Sequence, residues 1–143
     1  MQLTLYTDYS LRVLVYLNLK REGRTTITEL AEFYAISRNH LVKVVHHLAQ
    51  ENFIRTQRGK NGGISLARSA DRIRVGDVVR STEPHFELVE CFNREKNTCV
   101  LAPDCHLKKI LYEANRAFLE ILDRYTIADT QSTEILWNII NIV

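Results

Sequence analysis

The segment at residues 38–50 constrains the fold most strongly, because its two faces differ in chemistry along their whole length. Apolar residues recur at the i, i+3, i+4, i+7 spacing that places side chains on one side of an α-helix. These apolar residues are Leu41, Val44, Val45 and Leu48. The opposite side contains no acidic residue. Its hydrogen-bonding residues are Asn39, Lys43, His46 and Gln50. The pattern predicts a helix that buries one face and leaves a polar, acid-free face exposed.

A shorter helix precedes this one, and a tight connector at 34–36 joins the two. Thr28 is predicted to cap the first helix, which extends to about Phe33, and Ser37 to cap the second. Two short helices joined in this way form a helix-turn-helix, whose second helix enters the major groove. A merely solvated helix would usually carry Glu or Asp on its outer face, so nucleic-acid binding is favoured. The candidate DNA contacts here are Thr28, Ser37, Arg38, Asn39, His40 and Lys43.

Two alternating strands at 53–57 and 64–67 follow, separated by a glycine-rich connection. Glycine and asparagine at 58–63 allow positive φ and a tight reversal, which predicts a β-hairpin. A helix-turn-helix followed by a basic hairpin predicts a winged helix, so the fold class is mainly α with a small β-hairpin wing. A loop that cradles a nucleotide phosphate is a weaker alternative, because such a loop opens a helix. The candidate wing contacts are Arg58, Lys60, Asn61, Gly62 and Gly63.

Residues 3–19 are apolar on most faces and contain neither glycine nor proline, which predicts a mostly buried first helix. Thr7, Asp8 or Ser10 are available as capping or first-turn groups. Asp8 and Arg12 stand at i, i+4 and can pair on one face. The pair is either a surface salt bridge or a carboxylate presented to something on that face, and the salt bridge is favoured when the pair is considered alone.

A short helix at 75–83 is predicted to close the winged helix, and a longer helix follows further on. Its heptad-like apolar stripe consists of Leu107, Leu111, Ala114, Phe118, Ile121 and Tyr125. The stripe suits packing on the same domain or pairing between two chains, and palindromic operators favour a dimer. We expect a DNA-binding region at 1–83, a cysteine loop at 84–105, and a dimerisation helix and C-terminal helix at 106–143.

Charge is distributed unevenly along the chain. From Arg38 to Arg74 there are eight Lys or Arg residues and two acids, whereas Glu83 to Glu95 contains four acids and one base. The basic block predicts a polyanion-binding face. No nucleophile–base motif appears, so an enzyme is not expected. The N-terminus has no secretory pattern and no long apolar window occurs, so we expect a cytoplasmic protein with reduced thiols.

All three cysteines of the chain, Cys91, Cys99 and Cys105, fall in one polar loop with the spacing C-x7-C-x5-C. Thiolates collected on a loop suit a soft metal or an iron–sulfur cluster. Because three is an odd number, one disulfide would leave a thiol over, and a four-coordinate site would need a ligand from elsewhere. Metal or cluster ligation is the favoured interpretation, with redox thiols and incidental cysteines as the alternatives.

With a winged helix, a cysteine loop and a long helix in this order, the chain resembles the iron–sulfur winged-helix transcriptional regulators of bacteria. Within that family it is most similar to the nitric-oxide-sensing repressors. The resemblance covers nearly the whole chain. It rests on the stretches LTLYTDYSLRVL, SRNHLVKVV, RGKNGGISLA, IRVGDVVRSTEP and PDCHLKK.

The resemblance implies a homodimeric repressor with one cluster per subunit, held by the three cysteines and by Asp8 of the partner subunit. Arg12 would orient or neutralise Asp8. In the related IscR-type regulators a histidine three residues past the third cysteine holds a [2Fe-2S] cluster, but here that position is Lys108, and the nearby His106 has the wrong offset. The resemblance therefore favours [4Fe-4S] over [2Fe-2S], with nitric oxide as the signal that releases operator DNA.

Two other functions are compatible with the sequence. The first is a regulator of the IscR type, with a [2Fe-2S] cluster that reports redox state or cluster supply. The second is a metal- or cluster-carrier protein whose winged helix serves protein contacts. Cluster stoichiometry distinguishes the first, and loss of salt-dependent binding to duplex DNA would favour the second.

Overall fold

The computed structural model describes residues 2–20, 23–59 and 62–131. The helices and strands of these residues are α1 (Leu5–Leu19), α2 (Ile27–Tyr34), α3 (Arg38–Gln50), β1 (Ile54–Gln57), β2 (Gly63–Leu66), α4 (Val75–Thr82) and α5 (His106–Leu122). This order confirms the prediction of a mainly helical chain with a small antiparallel hairpin. The predicted C-terminal helix lies in 132–143, outside the described residues. Within the described ranges, no helix is long and apolar enough to cross a membrane.

Helix α1 begins at a hydrogen-bonded threonine. The side chain of Thr4 accepts a hydrogen bond from the backbone N–H of Thr7 at 3.2 Å. Thr4 also donates from its own N–H and hydroxyl to the Glu83 carboxylate, at 2.7 and 3.0 Å. A cap at Thr7, Asp8 or Ser10 is therefore wrong, because the helix starts before them, although Asp8 does lie in the first turn. The start of α1 is thus bonded to the residue that ends α4.

The core forms around α1, which packs against α3, α4 and β2. All four apolar residues predicted for α3 are buried, so its stripe pattern identified the inward face correctly. Apolar side chains with no exposure at all come from the four helices of the winged helix and from the turn before α4, while Ile54 and Ile64 of the strands are almost completely buried. The fully buried apolar residues of this region are Val13, Leu14, Leu30, Leu41, Val44, Leu48, Ile73, Val78 and Val79.

Helix α2 starts earlier than predicted. Thr26, not Thr28, is its N-cap, since the Thr26 hydroxyl accepts from the Glu29 N–H at 3.1 Å and the Glu29 carboxylate accepts from the Thr26 N–H. This reciprocal arrangement is a capping box. Two threonines stand two residues apart in the sequence, and only the first has a Glu three positions later. The Thr28 side chain therefore does not cap the helix.

The wing is bonded to the body of the domain as well as to itself. Strands β1 and β2 pair with Ile54 opposite Leu66 and Gln57 opposite Gly63. On the other side of β2, Ile64 exchanges two backbone hydrogen bonds with Thr25, at 2.7 and 3.2 Å. The hairpin therefore has a third, single-residue strand partner that lies just before α2.

The hairpin turn uses a positive φ, as predicted. Gly59 has φ of 104°, a conformation that glycine adopts without steric cost. The N–H of Gly62 donates to the Gly59 carbonyl at 2.8 Å and closes the turn.

The C-terminal end of α5 is fixed to the domain. Asp123, which follows the helix, forms a bidentate ion pair with Arg80 of α4. The distance from Arg80 Nη2 to Asp123 Oδ2 is 2.6 Å. Further on, the Ile127 N–H donates to the Ile73 carbonyl at 2.8 Å, and the Asn18 side chain donates to the Ile127 carbonyl at 2.8 Å. Since Ile127 is completely buried, the segment after α5 belongs to the core of the domain.

Thr26→Ala should lower the free energy of unfolding by about 1 kcal/mol, because it removes the side-chain acceptor of the capping box. Chemical denaturation of the purified chain measures this change. Thr28→Ala is the matched control, since it removes the same atoms from a residue that caps nothing and loses only an exposed hydrogen bond from Arg38, which is worth less than the cap. An equal loss in both variants would contradict the assignment of Thr26 as the cap.

Candidate DNA-binding surface and cysteine site

The start of α3 presents most of the predicted DNA contacts on one exposed surface. The exposed residues are Ser37, Arg38, Asn39, His40 and Lys43. The Arg38 guanidinium donates to the Thr28 hydroxyl, which brings the predicted contact on α2 beside those on α3. Ser37 occupies the N-cap position, as predicted, but its side chain makes no capping hydrogen bond. Its hydroxyl is therefore not committed to the helix and faces solvent.

Aromatic residues of α1 support this surface from behind. The Tyr6 hydroxyl donates to the Lys43 carbonyl at 3.2 Å, and its ring meets the His47 ring edge-on, with centroids 5.8 Å apart. The Tyr9 ring lies 6.2 Å from the ring of His40. His47 in turn is bonded through Nε2 to the Ser81 carbonyl of α4 at 2.9 Å. Helix α3, which the sequence predicts to be the recognition helix, is thus in contact with the first turn of α1 and with the last turn of α4.

The wing contributes fewer of its predicted residues to the described structure. Arg58 is exposed next to the turn, and Gly62 and Gly63 form the half-buried backbone on the returning strand. A Cβ at Gly63 would lie 2.6 Å from the Cβ of Arg24, so the chain passes too closely for any side chain here. Lys60 and Asn61 lie outside the described residues.

Two arginines at the base of the wing were not selected as individual contacts from the sequence. Arg24 and Arg55 line a polar cavity of about 580 Å³ on the hairpin, and Arg55 donates to the Ser65 hydroxyl at 3.3 Å. Alternation along β1 could have identified Arg55, because it points away from the buried neighbour Ile54. Arg24 could not be found in this way, since its position depends on the bridge between Thr25 and β2.

The three cysteines are free thiols on the loop between α4 and α5. Cys91 lies in the 3-10 turn Glu90–Phe92 and is half-buried, Cys99 is exposed, and the half-buried Cys105 is the N-cap residue of α5. Beside Cys105 is an open cavity of about 400 Å³ whose lining includes Lys108, Lys109 and Arg116. The same lining contains Glu113, and Lys109 and Arg116 are paired with Asp104 and Glu120, so Lys108 is the lining cation with no ion pair among the described residues.

Side-chain hydrogen bonds close the part of the loop between the first two cysteines. The Glu90 carboxylate accepts from both the N–H and the hydroxyl of Thr98, the latter at 2.7 Å. These bonds hold the pKa of the Glu90 carboxyl below its usual value. Within the closed segment, the Asn93 side chain accepts from the N–H groups of Glu95 and Lys96, at 3.0 and 3.2 Å. No sequence pattern predicts this closure, because it joins two residues that are eight apart and belong to no periodic element.

The chemistry of this loop fits an iron–sulfur group, since such groups are held mainly by cysteine thiolates. In the described part of the chain, no three His, Cys, Asp or Glu side chains lie close enough together to hold a metal ion. The donor types are therefore present on one loop, while a complete ligand set requires the thiols to draw together and a further donor to join them.

Asp8 and Arg12 form the predicted pair on the exposed side of α1. Two hydrogen-bonded contacts join them, from Arg12 Nε to Asp8 Oδ1 at 3.1 Å and from a terminal guanidinium nitrogen to Oδ2 at 2.7 Å. The hydrogen bond to Asp8 raises the pKa of Arg12 further above its usual value. The guanidinium also lies about 6 Å from the ring centroids of Tyr9 and Tyr34, where cation–π attraction operates. The Asp8 side chain remains 39% exposed and accessible to a partner.

His106 and Lys108, the two residues that bear on the fourth ligand, both lie in the first turn of α5. His106 is exposed and Lys108 is half-buried beside Cys105. Neither of them joins the cysteines in a metal-binding group within the described residues.

Proteins of established class are similar to this chain over most of its length. The chain is 52% identical over 130 residues to the HTH-type transcriptional regulator NsrR of Shouchella clausii, a match that covers 90% of this chain and 87% of that protein. It is 50% identical over 130 residues to the protein of the same name from Bacillus subtilis, with coverages of 90% and 89%.

Solved structures show the same fold. CymR (YrzC), the global cysteine regulator of B. subtilis, superposes with a TM-score of 0.75 at 26% identity, covering 92% of this chain and 99% of that chain. IscR of T. potens superposes with a TM-score of 0.71 at 20% identity, covering 96% of both chains. The second likeness concerns the fold alone.

The family comparison agrees with the relatives. The model of the Rrf2 family, described as an iron-dependent transcriptional regulator, matches residues 3–132. This match and the identities near 50% confirm the predicted regulator class and the expectation that the chain is not an enzyme. The chain belongs to the Rrf2 family of iron-dependent transcriptional regulators.

Proposed function

We propose that this regulator is a homodimeric repressor that binds operator DNA and senses nitric oxide through an iron–sulfur cluster. Cys91, Cys99 and Cys105 hold the cluster, a [4Fe-4S] cluster in the favoured form, and Asp8 of the partner subunit completes the ligand set. One observation carries the proposal: an exposed, acid-free recognition helix and a loop with three free thiols occur in a single chain. The similarity to regulators named NsrR supports it.

When bound, the cluster supplies an iron centre with which nitric oxide reacts. Asp8 would be a weaker ligand than the cysteines, because a carboxylate oxygen exchanges from iron more readily than a thiolate. The iron that it holds would therefore be the one that nitric oxide reaches. An ionised carboxylate has about four lone-pair sites. Asp8 could therefore hold iron while it still accepts a hydrogen bond from Arg12. The bidentate contact between the two side chains supports a role for Arg12 in orienting the Asp8 carboxylate, and this contact does not require iron.

Movement of Asp8 can reach the DNA-binding surface through α1. Tyr6, two residues before Asp8, is bonded to the Lys43 carbonyl of α3, and Thr4 is bonded to Glu83 at the end of α4. His47 joins α3 to α4 at the Ser81 carbonyl. A shift of the first turn of α1 therefore pulls on contacts that position the recognition helix, and a dimer converts that shift into a change of half-site spacing.

The exposed face of α5 supports the dimer. Leu107, Ile110 and Ile121 are each at least half exposed on this helix. Tyr125, the last residue of the predicted stripe, is also half exposed but lies three residues beyond the end of α5. Apolar side chains in this arrangement gain free energy when a second copy covers them. Because α5 begins at Cys105, a dimer built on this helix brings the cysteine loop of one subunit towards the other. The three regions 1–83, 84–105 and 106–143 would then act as DNA-binding unit, sensor loop and dimerisation unit, with Ile127 of the third region completing the core of the first.

A second candidate is a regulator with a [2Fe-2S] cluster of the IscR type. The observation that favours it is the position of His106, which is exposed directly after Cys105 and offers an imidazole donor. In this version His106 takes the place of Asp8, and the cluster responds to redox state or cluster supply.

An anaerobic analysis of iron and sulfide per chain, followed by titration with nitric oxide, tests the proposal directly. We expect about four irons per chain and stepwise loss of the visible absorption band as nitric oxide is added. Operator affinity measured on the same samples should fall in parallel. About two irons per chain, or a cluster that ignores nitric oxide, would favour the IscR type instead.

Asp8→Ala in the cluster-loaded protein should weaken operator binding by roughly tenfold or more, because the link between the cysteine loop and the partner subunit's first helix is lost. Fluorescence anisotropy with operator DNA under anaerobic conditions measures the effect. Glu120→Ala is the matched control, since Glu120 forms the same kind of exposed i, i+4 pair with Arg116. A loaded Asp8→Ala variant with unchanged cluster, nitric oxide response and DNA affinity would rule out the bridging role.

Lys43→Ala should lower affinity for all duplex sequences and reduce the slope of log K against log salt. Each lost phosphate contact changes this slope by about 0.9, so a dimer should lose about 1.8. Lys43→Arg retains the charge and should retain the slope. The same result is expected for Lys60→Ala. We propose that Lys60 contacts DNA together with the other wing residues, namely Arg58, Asn61, Gly62 and Gly63. If neither alanine variant changed the slope, these lysines would not contact the DNA backbone.

A further inference from the structure

The closure between Glu90 and Thr98 has a specific relation to the cysteines. Glu90 directly precedes Cys91, and Thr98 directly precedes Cys99. Both hydrogen bonds from Thr98 end on the same carboxylate oxygen, Oε1 of Glu90. The contact therefore joins the two residues that directly precede Cys91 and Cys99 in the chain.

The surrounding contacts hold each end of the closed segment. On one side, the ring of Phe92 lies 6.2 Å from the ring of Tyr112 on α5, which keeps Cys91 near that helix. On the other side, the Asn97 side chain accepts from the Cys99 N–H at 3.1 Å. The contact between Glu90 and Thr98 connects these two locally ordered turns, and it requires no metal.

We propose that Glu90 is a positioning residue for the cluster: its carboxylate, bonded to Thr98, holds the loop closed so that Cys91 and Cys99 form a pair before iron arrives. This inference rests on the cluster-binding role of the cysteines proposed above. Closing a flexible loop costs conformational entropy, and a loop that is already closed binds its ligand without that cost. Glu90 itself need not touch iron. Its effect is on how often the two thiols meet.

The thiol pair can be tested without iron, in the full-length reduced protein carrying Cys105→Ser so that only two thiols react. A short bifunctional methanethiosulfonate is the probe: each cysteine sulfur forms a disulfide with the reagent and displaces one methanesulfinate, so that no oxidant is consumed. Mass spectrometry then gives the ratio of cross-linked chain to chain modified twice, which reports the effective concentration of one thiol at the other.

Glu90→Ala should lower this ratio by about threefold or more, because the closed form of the loop is less populated. Glu90→Gln should restore most of it, since the amide oxygen still accepts from Thr98. Glu95→Ala is the control, as it removes an acid from the same loop at a residue that contributes its backbone N–H to the Asn93 turn. An unchanged ratio in Glu90→Ala, or no rescue by Glu90→Gln, would overturn the proposal.

A second measurement connects the loop to the cluster in the protein with all three cysteines. After anaerobic reconstitution, transfer of iron to a chelator should be several-fold faster in Glu90→Ala than in the wild type and close to wild type in Glu90→Gln. Equal transfer rates in all three proteins would overturn the positioning role. If the wild type takes up no cluster while the cross-linking ratios behave as expected, the proposed function fails and the thiol pairing stands.

Discussion

Burial of the first helix is the interaction on which the rest of this structure depends. Val13 and Leu14 have no exposed surface, and the helix that carries them packs against the recognition helix, the closing helix and the wing. A helix surrounded in this way cannot move alone. Its exposed remainder is the stripe with Asp8 and Arg12, so a group that binds there acts on an element whose other faces pack against α3, α4 and β2.

Periodic features of the fold were predictable from the sequence, and single contacts were not. The stripe of Leu41, Val44, Val45 and Leu48 identified the buried face of α3, because a helix with one buried face must repeat its apolar positions. The cap of α2 was assigned to Thr28 although Thr26 performs it, because both residues favour caps and the choice depends on where Glu29 can reach back. Local propensity locates such an end only to within a residue or two.

The residues of the candidate sites also differ in whether the sequence predicts their contacts. Pairing of Asp8 with Arg12 followed from their spacing on a helix, and the three cysteines were visible as a cluster in the chain. The contact of Glu90 with Thr98 and the place of Arg24 beside the wing depend on how irregular segments fold back, which no period records. Which thiols face one another, and what joins them, depends on tertiary structure.

The backbone bridge between Thr25 and Ile64 fixes the orientation of the wing relative to the rest of the domain. A hairpin joined to the domain only through its own ends would sample many orientations and would lose that freedom on contact with DNA. Here the returning strand is bonded on both edges, so much of that conformational entropy is already lost during folding. If the wing and α3 contact a duplex as proposed, they do so as parts of one preformed surface, and ordering the wing costs less free energy than ordering a hairpin attached only through its ends.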